Sequence, residues 1–130
     1  MTLDPPDDYI GHGTAVAGIA GAQTNNSDGI AGVSGEWDAN IGSRLMILHI
    51  RDIPTTWRVA EALEFTADSG STGANISLGW PEGHEGLAAM EASVNYAHGE
   101  GLTIVAAAGN NGGRIAKTNQ YVIPPGLQIQ

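Results

Sequence analysis

His12 stands between two glycines at the start of GHGTAVAGIAG, and Asn110 follows the apolar run of LTIVAAAGNNG. An imidazole gains and loses a proton near neutral pH, and a side-chain amide offers N–H donors, so the two could serve one site. Each also has a plainer reading on its own. A histidine commonly serves as a satisfied polar group or a surface residue, and His49, His84 and His98 are read that way. An asparagine before glycines is a normal turn residue. None of the serines, Ser27, Ser34, Ser43, Ser69, Ser71, Ser77 and Ser93, opens a nucleophile-like helix, and cysteine is absent, which excludes a thiolate nucleophile, a thiolate metal site and disulfides.

The elements that must position these residues alternate. From Thr14 to about Ala22 the chain is dense in Ala, Val and Ile with small glycines that permit close packing, and reads as a buried helix beginning beside His12. A polar turn cluster, Asn25-Asn26-Ser27-Asp28-Gly29, follows. Leu45-Met46-Ile47-Leu48-His49-Ile50 reads as a fully buried strand. Trp57, Ala60, Leu63, Glu64 and Ala67 recur at helical spacing, with Thr55 or Thr56 as N-cap and Gly70 as terminator. Ala74 to Leu78 is a short strand. Leu87, Met90, Val94 and Ala97 mark a helix within Glu85–Glu100, ended by Gly101, and Leu102 to Ala108 is a further strand. Tyr121-Val122-Ile123 suggests another, stopped by Pro124-Pro125, with no packing face expected beyond it. Helix-length connections between buried strands predict right-handed βαβ units: an α/β fold, a parallel sheet with helices on both faces in three layers. In such a sheet the loops at the carboxyl ends of strands converge on a crevice. Asn110 sits at such an end, and a helix starting at His12 and packed alongside would bring the two together.

Composition narrows the function. The net charge of −9, with Lys117 and four scattered arginines as the basic residues, opposes nucleic-acid binding, which needs clustered cations. The opening MTLDPPDDYIG has no basic segment followed by an apolar run, and no apolar stretch is long enough to span a bilayer. The sequence therefore predicts neither a signal peptide in this chain nor a membrane partner. A parent secreted through an upstream segment stays compatible, and compartment is unknown.

GHGTAVAGIAG, then NNSDGIAGV, then NISLG, then an Ala-rich helix, then TIVAAAGNNG resembles, in order and approximate spacing, the subtilisin-like serine proteases (subtilases, peptidase family S8). The resemblance is strongest over 8–113, and residues 1–130 are read as one partial peptidase domain. Two stations of such enzymes are not recognised: a Gly-Thr-Ser-Met-like nucleophile motif, and an apolar strand ending in aspartate ahead of His12. Ala15 stands where a second histidine is usual. Catalytic domains of this kind are roughly twice this size, so the chain is read as truncated, an internal fragment whose missing flanking segments are its partners.

The resemblance implies acyl transfer. A serine attacks the carbonyl, a neutral histidine takes its proton, an aspartate fixes the imidazole, and fixed donors hold the oxyanion. His12 would be the base and Asn110 the oxyanion donor. Ser77, Leu78 and Gly79 resemble the segment that pairs with an extended substrate, and Ala107, Ala108 and Gly109 the wall of the pocket for the residue before the scissile bond. Trp80, where a small residue is common, would narrow the pocket mouth. The substrate is a peptide or protein, and the chemistry requires no cofactor. Thr24 to Ile30 resembles a calcium loop, offering the Asn26 side chain and the carbonyls of Thr24, Asp28 and Ile30 to a structural ion. An Asx-rich turn is the alternative.

Two other readings compete. Gly11-His12-Gly13 before a helix suggests a nucleotide loop, but Val16 occupies the third position of GxGxxG and no buried strand precedes it. A non-catalytic peptide-binding module of the same fold is the stronger rival, because activity belongs to an assembled site rather than to a fold.

Overall fold

The computed structural model describes residues 8–37, 41–50, 55–80 and 84–110, together with the backbone of 128–129. The chain divides into two compact units, Met1–His49 and Ile50–Gln130.

In the first unit, helix α1 spans His12–Gly21. Its small residues allow close approach as expected: a Cβ added to Gly21 would lie 3.0 Å from Leu45 Cδ1. The loop after the helix turns back onto its C-terminus. Val33 and Ser34 amides donate to the Ile19 and Ala20 carbonyls at 2.9 Å, and Ser34 Oγ also reaches Ala20 O at 2.8 Å. Carbonyls that a helix end leaves without intrahelical partners are satisfied in this way. The helix is not buried, however; none of its residues is enclosed, and Ile19 is 61% exposed. The expected strand over Leu45–Ile50 is also not formed. A buried strand needs cover and a neighbour on either side, whereas among the described residues this stretch pairs with no strand and Leu45, Met46 and Ile47 stay exposed.

The second unit carries helix α2 (Thr56–Asp68), strand β1 (Gly73–Ile76), helix α3 (Leu87–Gly99), strand β2 (Thr103–Ala106) and strand β3 (Gln128–Ile129). The sheet is parallel, in the order β1-β2-β3, with Ile76 opposite Ala106 and Ala106 opposite Ile129. The α/β class and the parallel pairing are those expected. β3 falls in the segment expected to offer no packing face; a ladder needs only backbone N–H and C=O groups, which that expectation overlooked. The proposed strand at Tyr121-Val122-Ile123 lies outside the described residues.

α2 and α3 pack against one another over a core of Leu63, Val94, Leu102 and Ile104, each at most 3% exposed. Thr55 caps α2, accepting from the Arg58 amide at 3.4 Å, and Gly70 and Gly101 close α2 and α3 in left-handed conformations. The buried stripe of α2 differs from the expected one. Thr56, Val59, Ala60, Leu63 and Thr66 face inward while Trp57 is 55% exposed. The buried threonines are tolerated because Thr56 Oγ1 donates to Glu85 O at 2.7 Å and Thr66 Oγ1 to Ala62 O at 2.6 Å. α3 buries Met90, Val94 and Ala97 as its spacing predicts, and adds Ser93, whose hydroxyl donates to Glu64 Oε1 at 2.6 Å.

Candidate active site

The carboxyl ends of β1 and β2 open onto a cleft of about 290 Å³ lined by Asn75, Ser77, Ala106, Ala107, Ala108, Gly109 and Asn110. The ladder continues one step past the strands, with the Ala107 amide donating to Ile76 O at 3.0 Å. That bond fixes the two exits side by side. Gly109 then turns the chain at φ 84°, a left-handed value that glycine accepts without steric penalty, and Asn110 follows at the cleft. Of the residues singled out from sequence, Ser77, Ala107, Ala108, Gly109 and Asn110 therefore share one cavity.

Leu78 and Gly79 are not among its lining residues; Leu78 packs against the core. Trp80 also packs partly buried on the core, with its ring 6.1 Å from that of His84. It does not line this cleft. A flat indole beside an apolar core gains more by packing there than by standing in water, which outweighs its place next to the Ser77–Gly79 segment.

Asn75 is the residue that sequence reasoning missed. Its Nδ2 donates to Ser77 Oγ at 2.8 Å. The signal was available in period-two alternation: Asn75 and Ser77 are two apart and fall on one side of an extended chain, so a cleft containing one contains the other.

In the first unit His12 is the first residue of α1 and is exposed. The helix cap, Gly11, has no side chain to offer. Asp8 supplies the missing acceptors instead: Oδ1 takes the Gly11 amide at 2.8 Å and Oδ2 the Thr14 amide at 2.7 Å. These bonds, that from the Thr14 backbone first, hold the Asp8 carboxyl below its ordinary value. His84, read as a plain polar histidine, is exposed and its Nδ1 lies 2.9 Å from Glu85 O; His98 is exposed in the last turn of α3.

Thr24, Asn26, Asp28 and Ile30 lie on a loop where Asn25 and Ser27 adopt positive φ. Asn26 Oδ1 accepts the Asp28 amide at 3.1 Å, an Asx turn. The Thr24 amide and hydroxyl both donate to Glu36 O, at 2.9 and 2.5 Å. The oxygens present are of the hard kind that calcium takes, but Asn26 Oδ1 already serves the turn, and among the described residues no group of three His, Cys, Asp or Glu gathers as a metal site.

Comparison with known proteins identifies the family. The family model described as the subtilase family matches residues 1–127. The chain is 42% identical over 112 residues to a thermophilic serine proteinase of Bacillus sp. (strain AK1), covering 82% of this chain and 25% of that protein. It is 41% identical over 112 residues to thermitase of Thermoactinomyces vulgaris, covering 82% and 36%, and 36% identical over 115 residues to subtilisin Savinase of Lederbergia lenta, covering 88% and 40%. It thus spans between a quarter and two fifths of these relatives. The chain, which carries the His12 motif in its first unit and the Asn110 motif at the sheet's carboxyl end in its second, belongs to the subtilase family.

Proposed function

We propose that this chain is part of a serine endopeptidase, supplying its general base, His12, its side-chain oxyanion donor, Asn110, and part of its substrate cleft. The observation that supports this most is the cleft itself, which gathers Ser77 from one motif and Ala107–Asn110 from another about thirty residues later. Chemistry would follow the acyl-transfer route: His12 takes the proton of a serine hydroxyl as it attacks the peptide carbonyl, then delivers it to the leaving amine, while the Asn110 amide stabilises the oxyanion. The serine and the aspartate come from flanking segments of the same domain. Ser77, Leu78 and Gly79 pair with the extended peptide, and Ala107, Ala108 and Gly109 wall the adjoining side-chain pocket. The partner is a peptide or protein, not nucleic acid or membrane. The chemistry requires no cofactor, and a calcium ion held by Thr24, Asn26, Asp28 and Ile30 would serve structure alone.

In this reading the 130-residue chain alone does not turn over substrate, since none of its serines opens a nucleophile-like helix. A fluorophosphonate probe leaves it unlabelled. Stoichiometric labelling of one serine, abolished by His12→Ala, would contradict the reading. The rival, a non-catalytic peptide-binding module, draws on the cleft lying wholly within one unit. It predicts saturable peptide binding by the full-length protein with no cleavage, and flanking sequence without an upstream strand ending in Asp or a downstream Gly-Thr-Ser.

A further inference from the structure

We infer that Trp80 is a positioning residue: with Leu78 it pins the segment after β1 as an open strand edge onto which the backbone of an extended peptide pairs. The ladder between β1 and β2 ends at the bond from the Ala107 amide to Ile76 O. Among the described residues, Leu78, Gly79 and Trp80 make no backbone hydrogen bond. Their side chains nevertheless continue the alternation of the strand. Ile76 is buried in the core, and Ala74, Leu78 and Trp80 pack against that core, so every second residue from 74 to 80 lies on one side. The intervening Asn75 and Ser77 line the cleft, and Gly79 is exposed. An extended backbone with unused N–H and C=O groups is what strand addition by a peptide requires.

Without a ladder, core packing on either side of Gly79 keeps this edge extended. Glycine loses more conformational freedom on ordering than any other residue, and Leu78 and Trp80 are the anchors that flank it. The second anchor is itself braced. The Trp80 ring lies 6.1 Å from that of His84, tilted by 45°, within the range of aromatic contact. His84 Nδ1–H donates to Glu85 O at 2.9 Å, and the same carbonyl accepts from Thr56 Oγ1 at 2.7 Å. Thr56 is 1% exposed at the start of α2. Gly86 follows at φ 82°, where a Cβ would meet the Thr56 hydroxyl, so the chain passes this close only as glycine. The brace thus runs from the buried start of α2 through Glu85 and His84 to the indole. A small residue in place of Trp80 would leave Gly79 anchored on one side only.

The inference rests on the reading of 77–79 as the segment that pairs with substrate, but its test measures binding and not turnover, so the two fail separately. Calorimetric titration of the complete domain containing this chain uses an extended peptide whose scissile amide is reduced, and its counterpart N-methylated on the amides ahead of that bond. N-methylation removes the donors that pairing needs. The unsubstituted protein binds the parent peptide about tenfold more tightly than the methylated one, the worth of one or two hydrogen bonds. Trp80→Ala weakens the parent about tenfold, as expected when the ligand must order an edge that was preorganised, and leaves the methylated peptide within about twofold. Trp80→Phe, which keeps an aromatic ring on the core, restores most of the affinity. His84→Ala, which removes only an exposed ring, weakens the parent about threefold. A Trp80→Ala protein with full affinity for the parent overturns the inference. Equal losses for both peptides overturn it too, since Trp80 would then support the cleft as a whole and not the pairing edge. If Trp80→Ala fails to fold, His84→Ala decides by the same contrast. Cleavage of the unreduced peptide, measured apart, tests the endopeptidase and leaves the edge untouched.

Discussion

Asn75 Nδ2 donates to the Ser77 hydroxyl at 2.8 Å on the wall of the cleft that also contains Asn110. The bond ties Asn75, next to last in β1, to the first residue of the segment proposed to pair with substrate. In the complete domain, Asn75→Ala removes this hold on the Ser77 hydroxyl and raises KM for a peptide substrate by about fivefold, the worth of one neutral hydrogen bond, with kcat little changed. Steady-state kinetics decide; an unaltered KM removes Asn75 from the site.

Tyr96 and Asp68 join the last turns of α3 and α2 through a 2.6 Å bond from the phenol to the carboxylate. That bond, reinforced by the negative charge of Asp68, pushes the Tyr96 phenol up to about 12. A phenol whose folded-state pKa lies above its ordinary value of 10.0 contributes stability that is complete below that value and is lost as pH rises toward 12. Tyrosinate absorbance should therefore show one of the three tyrosines titrating late, and Tyr96→Phe should remove that late step. A late step that persists in Tyr96→Phe contradicts the assignment.

Leu102 is 2% exposed immediately before β2, within the core shared with α2 and α3. Leu102→Ala leaves a cavity and destabilises the second unit by about 2–5 kcal/mol. Urea unfolding followed by circular dichroism measures it, and a loss under about 1 kcal/mol would show the core able to collapse around the gap.

Ile19, Ile30, Val33 and Ile47 are each more than half exposed in the first unit. Apolar surface of this amount favours association, so the isolated chain binds a hydrophobic dye and sediments as concentration-dependent oligomers despite its charge of −9. A monomer without dye binding contradicts this.

What was legible in the sequence follows from what each signal measures. The Met90, Val94 and Ala97 spacing and the β-branched run at Ile104 and Val105 report local burial, and both elements stand where expected. The same logic failed for Leu45–Ile50, since an apolar run states a need for cover without supplying a partner strand. The α2 face was displaced from Trp57 to Thr56 and Val59 because a threonine with a carbonyl acceptor can be buried, and hydropathy does not register that acceptor. Ser77, Ala107, Ala108, Gly109 and Asn110 were legible as a group through family motifs. Asn75 and Asp8 were not, because each acts through a hydrogen bond that only three-dimensional proximity reveals.

The central claim is tested most directly by turnover of a peptide substrate by the complete domain containing this chain, with Asn110→Ala compared to the unsubstituted protein. Loss of an oxyanion donor lowers kcat by about a hundredfold to a thousandfold while KM stays nearly constant, since the bond forms only as charge develops. That is the expected result, with His12→Ala removing nearly all remaining turnover. An Asn110→Ala enzyme with unchanged kcat, or a complete domain that binds the peptide without cleaving it, would contradict the account.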